Sequence, residues 1–169
     1  WVYSEENLKK LVNENHIWFG RGGNSFPRKK RFLSDVQNGR TPNTLWLSEE
    51  VGHNQSATRE VSRIFDGLKF FDFPKPVDLI KRFILLFTNN NDLILDFFSG
   101  SATTAHAVMK QNAEDGNKRK FIMIQLPEKT PEGNPAREVN YLNICEIGKE
   151  RIRRAGEKIN EEAGLTAQN

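Results

Sequence analysis

Residues 92–106 constrain this chain more than any other stretch. They read Asp-Leu-Ile-Leu-Asp-Phe-Phe-Ser-Gly-Ser-Ala-Thr-Thr-Ala-His. The apolar run Leu93-Ile94-Leu95 ends at Asp96, small residues follow from Ser99 to Thr104, and a helix-forming run comes next. This is a strand, a tight turn and a helix start. Small side chains let backbone close on a ligand, and the free N–H groups of a helix start point at it. A carboxylate ending the strand offers an acceptor for an amine or hydroxyl. The arrangement suits a nucleoside cofactor lying across the strand ends. The same turn also serves any strand–helix–strand unit that binds nothing.

Around this centre the pattern is regular. Pro76 suits a first helical position. Ile80, Phe83, Ile84 and Phe87 recur at helical spacing on one face. A strand over 93–97 and a helix over about 102–112 follow, then a turn at Asp115-Gly116-Asn117. Phe121-Ile122-Met123-Ile124 is a continuous apolar run, which reads as a strand buried on both faces. After a loop over 127–135, a long helix carries Leu142, Cys145, Ile152, Ala155 and Ile159 on one side. The alternation of helix and strand gives an α/β fold with parallel strands.

Before residue 74 the chain is turn-rich, with short apolar pieces such as Ile17-Trp18-Phe19 and Leu45-Trp46-Leu47. Short strands and loops are the expected content, with a short helix over 58–65 and with Trp18 and Trp46 in the core. The composition shift near 74 divides the chain into 1–74 and 75–169.

Composition excludes several classes. The 169 residues hold one cysteine, Cys145. That fits a reducing cytoplasm and rules out an internal disulfide or a cysteine-based zinc cluster. Charged residues make up 28% and the mean hydropathy is −0.65. No apolar run approaches the ~20 residues a membrane helix needs. Net charge is only +3, so any attraction for nucleic acid must come from local clustering. Arg28, Lys29, Lys30 and Arg31 form such a cluster, flanked by Phe26 and Phe32. It reads either as a phosphate-contacting segment or as an ordinary solvated loop. The basic run 149–154 reads as the solvated face of a helix, with Glu150 and Arg154 paired at i, i+4. His106 reads as a packed or surface residue. A Gly-rich nucleotide-triphosphate loop is absent, and a nicotinamide fingerprint would need more glycines than Gly100 alone.

These residues carry a resemblance. Lys75-Pro76 with its apolar helix, followed by Asp96-Phe97-Phe98-Ser99-Gly100-Ser101-Ala102-Thr103-Thr104, resembles the cofactor-binding half of the β-group amino-methyltransferases of DNA. It is similar above all to the modification (Mod) subunits of type III restriction–modification systems. Glu50-Val51-Gly52-His53-Asn54-Gln55, Phe71-Asp72-Phe73-Pro74 and Gln125-Leu126-Pro127-Glu128 extend the likeness over roughly 38–155.

The resemblance implies a partial Rossmann-like methyltransferase sheet with helices on both faces, preceded by a turn-rich mixed segment. Residues 1–74 would hold the end of a target-recognition region and its connection, and 75–169 would bind S-adenosylmethionine. Carried over by position, Asp96 would orient the amino-acid end of the cofactor. Phe98, Ser99, Gly100, Ser101 and Thr103 would wrap it, Lys75 and Pro76 would line the neighbouring wall, and Gln125 or Glu128 would face the ribose. Implied partners are double-stranded DNA, a restriction (Res) subunit and a second copy of the full-length subunit. The implied reaction is transfer of a methyl group to an adenine amino nitrogen. The family's Asp-Pro-Pro-Tyr motif, which holds the target base, is not in this sequence, so no catalytic residue is assigned and this stretch alone is expected to be inactive.

Two departures stand out. Ala102 occupies a position where many relatives carry a second glycine, and Gln125 one where many carry an acid. The missing catalytic strand would leave the strand at 93–97 with an open edge, and such edges recruit other strands. A segment from 1–74 or a second copy of the chain is expected to cover it. If the basic segment contacts phosphates, neutralising Arg28, Lys29, Lys30 and Arg31 together should weaken binding to all DNA sequences alike. The slope of log affinity against log salt should fall by nearly one for each phosphate no longer neutralised; an unchanged slope makes the segment a solvated loop.

Overall fold

The computed structural model describes residues 3–32 and 41–166. They form two compact units, Trp1–Thr44 and Leu45–Asn169. In the first, α1 (Glu5–Asn13) is capped by Ser4, whose hydroxyl accepts the Asn7 N–H, and Glu5 and Glu6 sit at its positive end. A short antiparallel hairpin follows, β1 (Ile17–Trp18) with β2 (Arg28–Lys29), pairing Ile17 with Lys29. Ile17 is buried, whereas Trp18 is largely exposed and is no core residue. The expected strands are present but short, and α1 is a helix where only strands and loops were expected.

The second unit begins with α2 (Ser48–Val51) and α3 (Asn54–Ile64). His53 caps α3 through a reciprocal box: its Nδ1 accepts the Ser56 N–H at 3.0 Å, and Ser56 Oγ accepts the His53 N–H at 2.9 Å. Leu45-Trp46-Leu47 forms no strand, and Trp46 is half-buried against Phe83 and Arg82. There follow α4 (Val77–Phe87), β3 (Leu93–Asp96), α5 (Thr103–Asp115), β4 (Lys120–Met123), α6 (Pro135–Glu138) and α7 (Ile144–Thr166). Pro76 is the cap of α4, one residue before its first turn. Although α2 and α3 precede the composition shift at 74, α2 packs on α4 and α3 on α7.

Helix α5 is the centre of this unit, packed on α4, β4 and α7. Its small residues allow close approach: Ala105, Ala107 and Val108 are completely buried. Val77, Ile84, Ala107 and Val108, backed by Ile94 and Phe121 of the sheet, form one apolar cluster. Val61, Ile64, Phe65, Phe70, Ala136, Ile147 and Ala155 form another between α3, α6 and α7. Burying a side chain of Val or Leu size is worth about 1.5–3 kcal/mol, so these clusters dominate the unit's stability.

Strands β3 and β4 are parallel, with Leu95 opposite Ile122 and Asp96 opposite Met123. The fold is mixed α/β. Among the described residues of this unit, helices cover one sheet face only. On the other, Leu93, Leu95 and Phe97 stand beside Ile122 and Ile124, and Leu95 is 56% and Ile122 46% exposed. The expectations of a strand buried on both faces and of helices on both faces therefore fail among the described residues. Among the described residues β3 pairs with no strand but β4, so no strand of the earlier segment extends the sheet at its edge. Phe83 and Phe87 are likewise exposed on α4, and Leu142 lies exposed ahead of α7. Among the described residues no helix is long and apolar enough to cross a membrane, and no cluster of side chains could hold a metal ion.

Candidate functional site

The parallel strands end together, and the chain turns there into α5. Backbone pairing runs on past the strands, with the Ile124 N–H on the Asp96 carbonyl at 2.8 Å and the Ser99 N–H on the Ile124 carbonyl at 3.2 Å. The Asp96 carboxylate then grips the turn. It accepts the Phe98 N–H at 3.1 Å and the Thr104 hydroxyl at 2.6 Å. A carboxylate has about four acceptor positions, so these bonds leave room for a ligand amine or hydroxyl.

Across the turn, the Ala102 N–H bonds the Ser99 carbonyl at 2.7 Å. Gly100 takes φ +51 and Ala102 φ +60. The left-handed conformation costs an alanine about 1–2 kcal/mol, so the departure from glycine at 102 is a strained one. Gln125 takes a role that position alone did not suggest: its Oε1 accepts the Gly100 N–H at 2.8 Å. The carboxamide ties the loop to the end of β4.

These parts enclose an open cavity of about 430 Å³, a size typical of small-ligand sites. Ser99, Gly100, Ala102 and Gln125 line one side, and Cys145, Gly148 and Ile152 of α7 line the other. Gly148 matters because a side chain there would begin 3.4 Å from the Gly100 carbonyl oxygen. Cys145 is half-buried and donates through Sγ to the Gln125 carbonyl at 3.3 Å.

The anticipated site residues divide. Ser99, Gly100 and Gln125 meet at the cavity, with Asp96 bracing it from behind. Ser101 and Thr103 belong to the same turn but face inward and are buried. Phe98 is 78% exposed beside Phe97. Pro76 is buried as the cap of α4 and Lys75 is exposed; neither lines the cavity. Glu128 lines a separate cleft of about 210 Å³ with Phe70, Phe71 and Asn134. A third, narrower cavity of about 170 Å³ lies between α3, α5 and α7, lined by Glu60, His106, Lys110 and Lys158. Of the basic segment, Arg28, Lys29 and Arg31 are exposed, while Lys30 donates to Asn15 Oδ1 at 2.6 Å.

Sequence reasoning missed Arg151. In a run read as a solvated face, its side chain is completely buried. Nη1 donates to the Ser101 carbonyl at 3.2 Å, Ser101 Oγ at 2.9 Å and Thr103 Oγ1 at 2.8 Å. Nη2 approaches His106 Nδ1 at 3.5 Å, and Nε has no partner. Burial pushes the guanidinium down to about 10, partly offset by Glu60, which still leaves it charged at neutral pH. Each hydrogen bond to a charged group returns about 1.5–3 kcal/mol against a desolvation cost of several kcal/mol. The available signal was spacing, since Arg151 sits between Ile147 and Ala155 in an i, i+4, i+8 stripe. The neighbouring Glu150–Arg154 pair forms as expected at 2.6 Å.

Comparison with known proteins fits this geometry. A family profile described as DNA methylase matches residues 3–157. The chain belongs to the DNA methylase family. It is 36% identical over 159 residues to the type III restriction-modification enzyme StyLTI Mod subunit of Salmonella typhimurium, covering 94% of this chain and 24% of that protein. The EcoPI Mod subunit of Escherichia phage P1 is 35% identical over 155 residues, 89% of this chain and 24% of that protein. The type II methyltransferase M.KpnI of Klebsiella pneumoniae is 36% identical over 109 residues, 64% of this chain and 26% of that protein. The chain thus spans about a quarter of the length of these relatives.

In this family member, burial first, and then the charges of Arg151, Lys110 and Lys158, lower His106 from 6.5 to about 3. The imidazole is packed and neutral, in keeping with its place among small residues in the sequence. The unfolded chain takes up a proton below about pH 6.5, and the folded one resists it until about pH 3. Stability from the neutral ring is therefore complete above the first value and drains towards the second, at up to about 1.4 kcal/mol per pH unit. His106→Gln should remove this slope. Urea unfolding of both proteins at about pH 7 and about pH 5 should show their stability difference changing by roughly 2 kcal/mol; parallel behaviour would place a protonatable imidazole there instead.

Proposed function

We propose that this chain is the cofactor-binding part of a DNA adenine-N6 methyltransferase of the type III modification kind, with S-adenosylmethionine in the cavity at the ends of β3 and β4. The observation that carries this reading is the turn from Asp96 to Thr103. It is hydrogen-bonded into an open cavity at the point where parallel strands deliver ligands to a helix N-terminus. The collinear likeness to Mod subunits over most of the chain supports it.

When bound, the cofactor supplies an activated methyl group. This chain's residues bind and orient it. Asp96 braces Phe98 and Thr104, and in this reading its remaining acceptor positions take the amino-acid end. The loop over 99–103 offers backbone at close range because Gly100 and Gly148 carry no side chain. Gln125, neutral and already bonded to Gly100, meets the ribose side with a carboxamide rather than an acid. Positioning of this kind is what an in-line methyl transfer needs from a protein. Residues that hold the target adenine belong, in this reading, to other parts of the protein, since no Asp-Pro-Pro-Tyr motif occurs in these 169 residues.

The same reading gives residues 1–74 to the end of the target-recognition region and 75–169 to the cofactor half. Arg28, Lys29, Lys30 and Arg31 face DNA phosphates in this reading, and the cofactor contacts are those of the loop and Gln125 rather than of Lys75, Pro76 or Glu128. The whole protein acts in the cytoplasm on double-stranded DNA, as a homodimer and beside a Res subunit. In this reading a broader Rossmann-like sheet completes the fold, with further strands on the open edge of β3 and helices over the bare apolar face.

Calorimetric titration with S-adenosylmethionine, its demethylated product and NAD tests the reading. The first two should bind and NAD should not. A charge-assisted hydrogen bond is worth about 1.5–3 kcal/mol, so Asp96→Ala should weaken binding roughly 10- to 100-fold. Gly100→Val should do at least as much, since it places a branched residue at φ +51. Unchanged affinity in both variants, with circular dichroism intact, would remove the cofactor from this loop. DNA binding with no cofactor affinity would make the chain a plain DNA-binding module.

A further inference from the structure

We infer that Arg151 is a positioning residue for the cofactor, setting the loop's shape and charge at the end that receives the amino-acid group. The inference rests on the cofactor reading above and adds a residue to it.

The loop has two sides. Ser99, Gly100 and Ala102 face the cavity, whereas Ser101 and Thr103 face the protein interior. Arg151 holds the inward side. A single nitrogen, Nη1, reaches the carbonyl and hydroxyl of Ser101 and the hydroxyl of Thr103, all within 3.2 Å. Fixing the Ser101 carbonyl fixes the peptide that leads into Ala102, which must hold φ +60 for α5 to start where it does.

The charge matters as much as the geometry. Among the described residues Arg151 makes no direct ion pair, its Nε is unpartnered, and Glu60 acts on it only from a distance, offsetting part of its charge. Its other neighbour, His106, is uncharged. A positive charge, offset only in part by Glu60, therefore lies buried directly beneath the first turn of α5. That turn already carries the helix's positive end and N–H groups without intrahelical acceptors. Both effects have the same sign, and low-dielectric surroundings weaken their screening. A ligand carboxylate gains from them; a neutral adenosine does not.

Two ligands separate these roles: S-adenosylhomocysteine, which has the amino-acid group, and 5′-methylthioadenosine, which lacks it. Titrated into the full chain, Arg151→Gln should lose at least tenfold affinity for the first and change less than about twofold for the second. Arg151→Lys, which keeps a charge, should recover part of the loss. If Arg151→Gln does not fold, Thr103→Val removes one acceptor with little change of shape. It should then weaken S-adenosylhomocysteine several-fold and leave methylthioadenosine alone. Equal losses for both ligands mean that Arg151 merely supports the fold, and no loss means that it does nothing for binding; either overturns the inference. A wild-type chain that binds neither ligand removes the cofactor reading itself, and this proposal with it.

Discussion

The guanidinium of Arg151 sits in the interior without a carboxylate partner, and the turn after β3 is built around it. Burying an ion costs several kcal/mol unless its protons are used. Here most of them go to Ser101, Thr103 and His106. Removing the guanidinium would leave two buried hydroxyls and a carbonyl without their donor. The same interaction adds to the burial that keeps His106 neutral, and it holds the inner side of the loop so that the outer side faces a cavity. Asp96 and Gln125 complete the hold from the strand ends. The site is thus fixed by three polar side chains, from the end of β3, from two residues beyond β4, and from α7.

The other half of the physical picture is what the unit does not cover. Parallel strands are ordinarily buried on both faces. Here α4 and α5 protect Ile94 and Phe121, while Leu93, Leu95, Phe97, Ile122 and Ile124 face outward. The helical side is packed to completion around Ala105, Ala107 and Val108. The contrast between a dry face and a bare one on the same two strands accords with a chain about a quarter the length of its relatives.

Local signals carried much of this into the sequence. The strand–turn–helix at 92–106 was readable because its residue types change sharply, from apolar to small to helix-forming. Gly116 ends α5 at the expected turn, and the periodicity of 80–87 marked α4 well. That periodicity overstated burial, because Phe83 and Phe87 share the spacing of Ile84 without sharing its neighbours. Helix α1 escaped notice because its stripe is short and strongly charged. Arg151 was misread because local charge density pointed to water; its partners lie 45 to 50 residues away. Gln125 was placed correctly at the strand end, but its bond to Gly100 depends on the pairing of β3 with β4. Lys75, Pro76 and Glu128 were drawn to the site by family likeness, and the cavity reaches none of them.

The central claim is that the loop over 99–103 and the Gln125 carboxamide form one binding surface. Amide chemical shifts recorded during a titration with S-adenosylmethionine test it most directly. The account predicts that the backbone amides of Ser99, Gly100 and Gly148 and the side-chain amide of Gln125 move most, together and with one apparent affinity. Loop resonances that stay still while shifts gather around Phe71 and Glu128, or around His106 and Lys158, would contradict it.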